Sequence, residues 1–250
     1  MRVFAISDLH VDYELNREWI GQLSTSDHRE DVLILAGDIS DSLARLEWCL
    51  DRLARRFRRV LFVPGNHDLW VLRDAPGTDS LEKFHQVCML AQQCGAVMSP
   101  YRAGDVAIVP LLGWYDYSFG APDERLRAAW MDYHACRWPT GYGPAEVTDL
   151  FLARNPVAIA DAATVITFSH FLPRNDLAPP RLASARKALD PVMGASKLDA
   201  QLRRLGASTH VYGHSHLNGR VTIDGVCYVN NAFGTPQERA LSARGLLQLC

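Results

Sequence analysis

The chain has 250 residues, 48% of them hydrophobic and 22% charged, with a formal net charge of -2. These are the proportions of an ordinary globular protein, and the near-zero charge excludes a general electrostatic pull toward nucleic acid or membrane surfaces. The length suits one domain, 1–250, with a sizeable core.

No apolar run approaches the length of a membrane span. Met1 to Asp8 enters a strand directly, without the regions of a signal peptide. The cysteines are Cys49, Cys88, Cys94, Cys136, Cys227 and Cys250. They form no CxxC pair and are read as reduced thiols, which predicts a cytoplasmic protein.

In chain order, Val3 to Ile6, Val32 to Ala36 and Val60 to Val63 are short apolar runs of the buried-strand kind. Between the last two, Leu43, Leu46, Leu50, Leu53 and Phe57 recur at roughly helical spacing. Further strands are predicted at Val106 to Pro110, Val165 to Phe168, His210 to Tyr212, Arg220 to Ile223 and Val226 to Val229. The last two flank Asp224-Gly225, a two-residue hairpin signal. The alternation predicts an α/β fold with mixed sheets and helices outside.

Two stretches stand apart. From about 113 to 157 aromatic residues crowd among glycines and prolines, which reads as a loop and helix elaboration over the site. Within it, Trp114 and Tyr115 serve either as a stacking platform for a substrate or as a small core. Pro173 to Pro191 reads as a surface loop. Arg137 and Arg174 are candidate contacts to a substrate anion. The arginines from Arg52 to Arg59 read as the solvated end of a helix.

Five short blocks carry the chemistry. They are Asp8-Leu9-His10, Gly37-Asp38, Gly65-Asn66-His67-Asp68, His170, and Gly213-His214-Ser215-His216. Each follows a predicted strand. A strand's period of two points Asp8 and His10 the same way, and likewise His214 and His216. Asp38 has two oxygens and can bridge two cations. Asn66 offers a neutral carbonyl oxygen. Nothing resembles a nucleophile elbow or a phosphate-binding glycine loop.

In the order D-x-H, G-D, G-N-H-[DE], H and G-H-x-H, these blocks resemble the calcineurin-like metallophosphoesterase superfamily. The resemblance implies a four-layer αββα sandwich with a dinuclear metal site at strand C-terminal ends. It implies one metal on Asp8, His10, Asp38 and His216, and another on Asp38, Asn66, His170 and His214. A hydroxide shared by the metals would attack phosphorus. His67 would face the phosphate, and Asp68 would orient it. The N/O donors admit Mn, Fe, Zn, Co or Ni.

Gly37-Asp38 is followed by Ile39-Ser40-Asp41 rather than Asp-Arg-Gly, which argues against a protein phosphatase. The expected substrate is a small-molecule phosphoester, with a nucleotide-like phosphomonoester ahead of a phosphodiester. A nuclease or a non-catalytic scaffold ranks below both. No membrane partner is expected, and the charge argues against nucleic acid.

Overall fold

A computed structural model describes residues 1–73, 77–177, 187–239 and 244–250. The middle of the predicted 173–191 loop, residues 178–186, therefore lies outside the described residues.

The first sheet has the order β11-β1-β2-β3-β4. Its strands are β1 (Val3–Ile6), β2 (Val32–Ala36), β3 (Arg59–Val63), β4 (Ala96–Val97) and β11 (Leu247–Gln248). The second has the order β5-β6-β7-β8-β10-β9. It comprises β5 (Tyr101–Ala103), β6 (Val106–Pro110), β7 (Thr164–Phe168), β8 (Thr209–Tyr212), β9 (Gly219–Ile223) and β10 (Val226–Asn230). Central strands pair in parallel, and β11, β5 and β9 run antiparallel at the edges.

Side-chain alternation sorts these strands into layers. Val3, Ala5, Val32, Ile34, Leu61 and Val63 meet Ile108, Ile166, Phe168, Val211 and Val229 between the sheets. Phe4, Ile6, Leu33, Leu35, Val60 and Phe62 point outward instead. There they pack on α1 (Glu14–Gln22), α2 (Leu43–Ala54) and α3 (Ser80–Gln93). The outer face of the second sheet is covered by α6 (Pro144–Leu152), α7 (Ser196–Arg204) and the short α4 (Glu124–Ala129) and α5 (Asp132–Ala135). The result is helix, sheet, sheet, helix. Burial on both faces is why the strands read as unbroken apolar runs.

The parallel arrangement brings the C-terminal ends of β1, β2, β3, β7 and β8 to one edge of the sandwich. The arginines after α2 are each engaged away from that edge. Arg55 pairs with Asp51, and Arg56 donates to the carbonyls of Leu23, Arg52 and Gly21. Among the described residues, no helix is long and apolar enough to cross a membrane.

The start of β1 is pinned beside β2 by Asp31. Its carboxylate accepts from the Arg2 backbone N–H at 2.9 Å and from the guanidinium at 2.6 Å. These Arg2 bonds hold the Asp31 carboxyl down at about 2. The unfolded value is about 3.9, so the pair's contribution is complete above about pH 4 and is lost as pH falls toward 2. Asp31→Asn is expected to lower Tm at pH 7. The gap from wild type should narrow on acid titration between pH 4 and 2, as thermal melts would show.

Candidate metal centre

β1 ends at Ile6 and β8 at Tyr212, so both paired-ligand motifs lie beyond the pleat. Their side chains do not converge by strand alternation. They converge because the backbone turns left-handed at Asp8 (φ 53°), His10 (39°), His214 (65°) and His216 (53°), and again at Asp38 (57°). Non-glycine residues pay about 1–2 kcal/mol each for that conformation, although Asp and His tolerate it better than most. Five such residues in one site must be held in place by their surroundings.

The restraint is visible. Asp8 N–H donates to the Gly37 carbonyl at 2.9 Å and His10 N–H to the Asp38 carbonyl at 3.1 Å. His214 N–H donates to Asp8 Oδ1 at 3.1 Å. Asp68 is fully buried. Its Oδ1 accepts from the Ile39 and Ser40 N–H groups and its Oδ2 from those of Asp38 and Gly65, all at 2.9–3.0 Å. All these bonds go to backbone amides and none to the His67 ring, which corrects the expected orienting role of Asp68. It clamps the loop after β2 to the loop after β3. Two glycines make the close approach possible. A Cβ on Gly37 would lie 2.5 Å from His170 Nδ1, and one on Gly65 would lie 2.2 Å from Asp38 Oδ1.

All seven candidate ligands meet here. Asp8, His10 and His216 form one cluster of donor atoms, and Asp38, His170 and His214 form another. Each of three histidines gives one ring nitrogen to a fixed acceptor and turns the other inward. His170 Nδ1 faces the Ala36 carbonyl at 2.9 Å, and His214 Nε2 faces the Val192 carbonyl at 3.0 Å. His216 Nδ1 faces Glu238 at 2.9 Å. This network assigns the tautomers and aims His170 Nε2, His214 Nδ1 and His216 Nε2 into the centre.

Electrostatics separate the groups. Burial lowers the pKa of His10, to about 4, and also those of His67, His170 and His214, so these rings are neutral near pH 7. Burial opposes the charge on His216 too, but Asp8 and Glu238 outweigh it and raise the pKa to about 10. Burial also raises Asp38 well above the carboxylate range, reinforced by Asp8 and Asp68. For Asp8 the contacts with His216 overcome burial and lower it.

The inward donors fit metal ions. Donors adjacent on one metal at bonds of about 2.1 Å are separated by about 3.0–3.4 Å. His10 Nε2 and His216 Nε2 are 3.2 Å apart, as are His170 Nε2 and His214 Nδ1. Asp8 Oδ1 lies 3.1 Å from His216 Nε2, and Asn66 Oδ1 lies 3.0 Å from His170 Nε2. His170 Nε2 and His214 Nδ1 face each other as lone pairs, because their other nitrogens donate to carbonyls, and cannot hydrogen-bond one another, whereas a cation between them satisfies both.

A cavity of about 310 Å³ opens over this centre, lined by His10, His67, His216, Trp70, Arg73 and neighbours. The His67 ring stacks on Trp70, with centroids 3.7 Å apart, and meets the His10 edge at 4.7 Å. Sequence reasoning missed Trp70, Arg73, Asp132 and Glu238. Glu238 had a signal: Thr235-x-x-Glu238 is a capping box, and Glu238 accepts from Thr235 N–H and Oγ1 as well as facing His216.

The expected substrate contacts are not brought here. Trp114 and Tyr115 are buried, packed on Phe171 at 4.9 and 6.0 Å. Their rings fill the core under the elaboration and offer no platform. Arg174 lies in a separate surface cavity, tied to Asp176 at 2.8 Å and Asp199 at 3.4 Å. Arg137 does not line the cavity over the centre; its backbone pairs with Ser80 at the start of α3. His210, beside the site in sequence, is buried in the sheet between Thr167 and Ser169.

Two sheets that converge five loops on a nitrogen and oxygen cluster define a metal-dependent hydrolase of phosphoesters. The calcineurin-like phosphoesterase family model matches residues 1–218, and the chain belongs to that family. It is 27% identical over 260 residues to the [acyl-carrier-protein] phosphodiesterase PptH of Mycobacterium tuberculosis, spanning 94% of this chain and 78% of that one. The crystal structure of the M. tuberculosis phosphopantetheinyl hydrolase PptH superposes with a TM-score of 0.74 at 25% identity. That match covers 99% of this chain and 95% of the other.

The clamp predicts a structural signature. Asp68→Asn would turn an NH₂ donor toward two of the four amides, at about 1–3 kcal/mol for each unsatisfied group. The variant is expected to lose about 2–6 kcal/mol of stability in denaturant melts. Unchanged stability with reduced turnover would instead favour an orienting role on His67.

Proposed function

We propose that this chain hydrolyses a phosphodiester, and that the substrate is a phosphopantetheinyl group carried on an acyl carrier protein. The carrying observation is the match to PptH, which spans 94% of this chain in sequence and 99% in structure. Trp114 and Tyr115 are buried and offer a nucleotide base no stacking platform over the site.

In this reading Asp8, His10, Asp38 and His216 hold one divalent transition metal. Asp38, Asn66, His170 and His214 hold a second, with Asp38 shared. When bound, such a pair supplies a nucleophilic hydroxide near neutral pH and charge to balance a phosphoryl group. The donor set suits Mn, Fe, Zn, Co or Ni. His67 projects from the loop after β3 into the cavity, its Nε2 3.8 Å from Asp38 Oδ2. A neutral imidazole still carries one N–H, which His67 offers to the leaving oxygen or to a phosphoryl oxygen as charge develops. Trp70 holds the plane of that ring. Arg73 stands at the mouth on Asp12 and Asp41, at 2.9 and 3.2 Å, where a substrate anion would enter.

The test compares phosphopantetheinylated acyl carrier protein, bis-p-nitrophenyl phosphate, p-nitrophenyl phosphate and nucleoside monophosphates on metal-reconstituted protein. Loss of the phosphopantetheinyl mass from the carrier protein, with turnover of the diester above the monoesters, is expected. His67→Ala should lower kcat on the order of 10²–10⁴-fold. Turnover of nucleoside monophosphates alone would overturn the diester reading.

A further inference from the structure

Asn66 poses a problem of orientation. Its amide oxygen and nitrogen have nearly the same shape, and only the oxygen can serve a cation. The side chain adopts one setting: Nδ2 donates to Asp132 Oδ1 at 2.9 Å, while Oδ1 turns inward, 3.0 Å from His170 Nε2. Asp132 is buried and sits 66 residues away, at the start of α5 in the aromatic elaboration. The same Oδ1 accepts the Trp70 indole N–H at 2.7 Å, and Oδ2 accepts that of Trp130 at 2.8 Å. Trp70 is the ring on which His67 lies, and Trp130 meets His214 edge-on at 5.8 Å.

We infer that Asp132 is a positioning residue: it fixes the Asn66 amide with oxygen toward the metal centre and, through Trp70, fixes the plane of His67. The inference rests on the two-metal reading above. A carboxylate can only accept, so it selects the nitrogen face of the amide. The rings around it keep water from competing for those bonds. The aromatic-rich segment thereby carries one carboxylate into the wall of the site and seals it there.

A double-mutant cycle tests this by titrating Mn²⁺ or Zn²⁺ calorimetrically into the metal-stripped full chain. Wild type is expected to bind two equivalents. D132N leaves Asn66 facing another amide that can either donate or accept. It should weaken one of the two sites about 10–100-fold. N66D sets two carboxylates against each other and should weaken binding as well. The double variant N66D/D132N exchanges acceptor and donor and presents an oxygen to the metal either way; in a W70F background, which removes the N–H that would oppose the new amide NH₂ at position 132, it should recover binding to within a few-fold of the W70F protein. W70F keeps an aromatic face under His67 but loses the N–H; metal affinity should persist while kcat falls. A purely structural Asp132 would show additive losses in N66D and D132N, and that result overturns the proposal. So does a D132N protein that binds both equivalents like wild type. If wild type itself binds no pair of metals, the two-metal reading fails first and this inference with it.

Discussion

Five candidate ligands with left-handed backbone are the constraint on which the site depends. The turns after β1, β2 and β8 must all reverse within a few residues of a strand end to bring their side chains inward. Each reversal is costly alone, and the loops hold one another in it. Asp68 is central, because one buried carboxylate binds amides from the loops after β2 and β3. Asp8 extends the lock across the sandwich by accepting the His214 N–H. The strain is therefore settled during folding, which leaves the donor atoms preorganised.

The second tier of contacts makes the cluster chemically definite. The Ala36 and Val192 carbonyls and Glu238 each take one nitrogen of a histidine. Asp132 takes the nitrogen of Asn66. Each contact removes one alternative, whether a tautomer or an amide flip, and what remains is a set of lone pairs facing one small volume. Burial keeps most of these imidazoles neutral, as metal ligands must be.

Much of this was legible in the sequence. The strands that carry the site were readable because burial on both faces makes Val3 to Ile6 and Val32 to Ala36 continuous apolar runs. The hairpin at Asp224-Gly225 was readable because its turn needs left-handed residues, and both adopt that conformation, at φ 48° and 83°. The candidate ligands were readable by residue type and by position after strands. The way they converge was not, because a left-handed Asp or His looks like any other in sequence. Asp132 and Glu238 were hidden by distance along the chain. Trp114 and Tyr115 stayed open between platform and core because a segment without periodicity does not reveal which rings face inward. The two-residue strand β4 carries too few side chains to show a pattern.

If these loops form one preorganised centre for two metals, anomalous diffraction from crystals grown with Mn²⁺ will show it. Two peaks are expected, one enclosed by Asp8, His10, Asp38 and His216 and the other by Asp38, Asn66, His170 and His214, with the left-handed turns unchanged. A single peak, or ligand loops that rearrange to reach the metal, would contradict it.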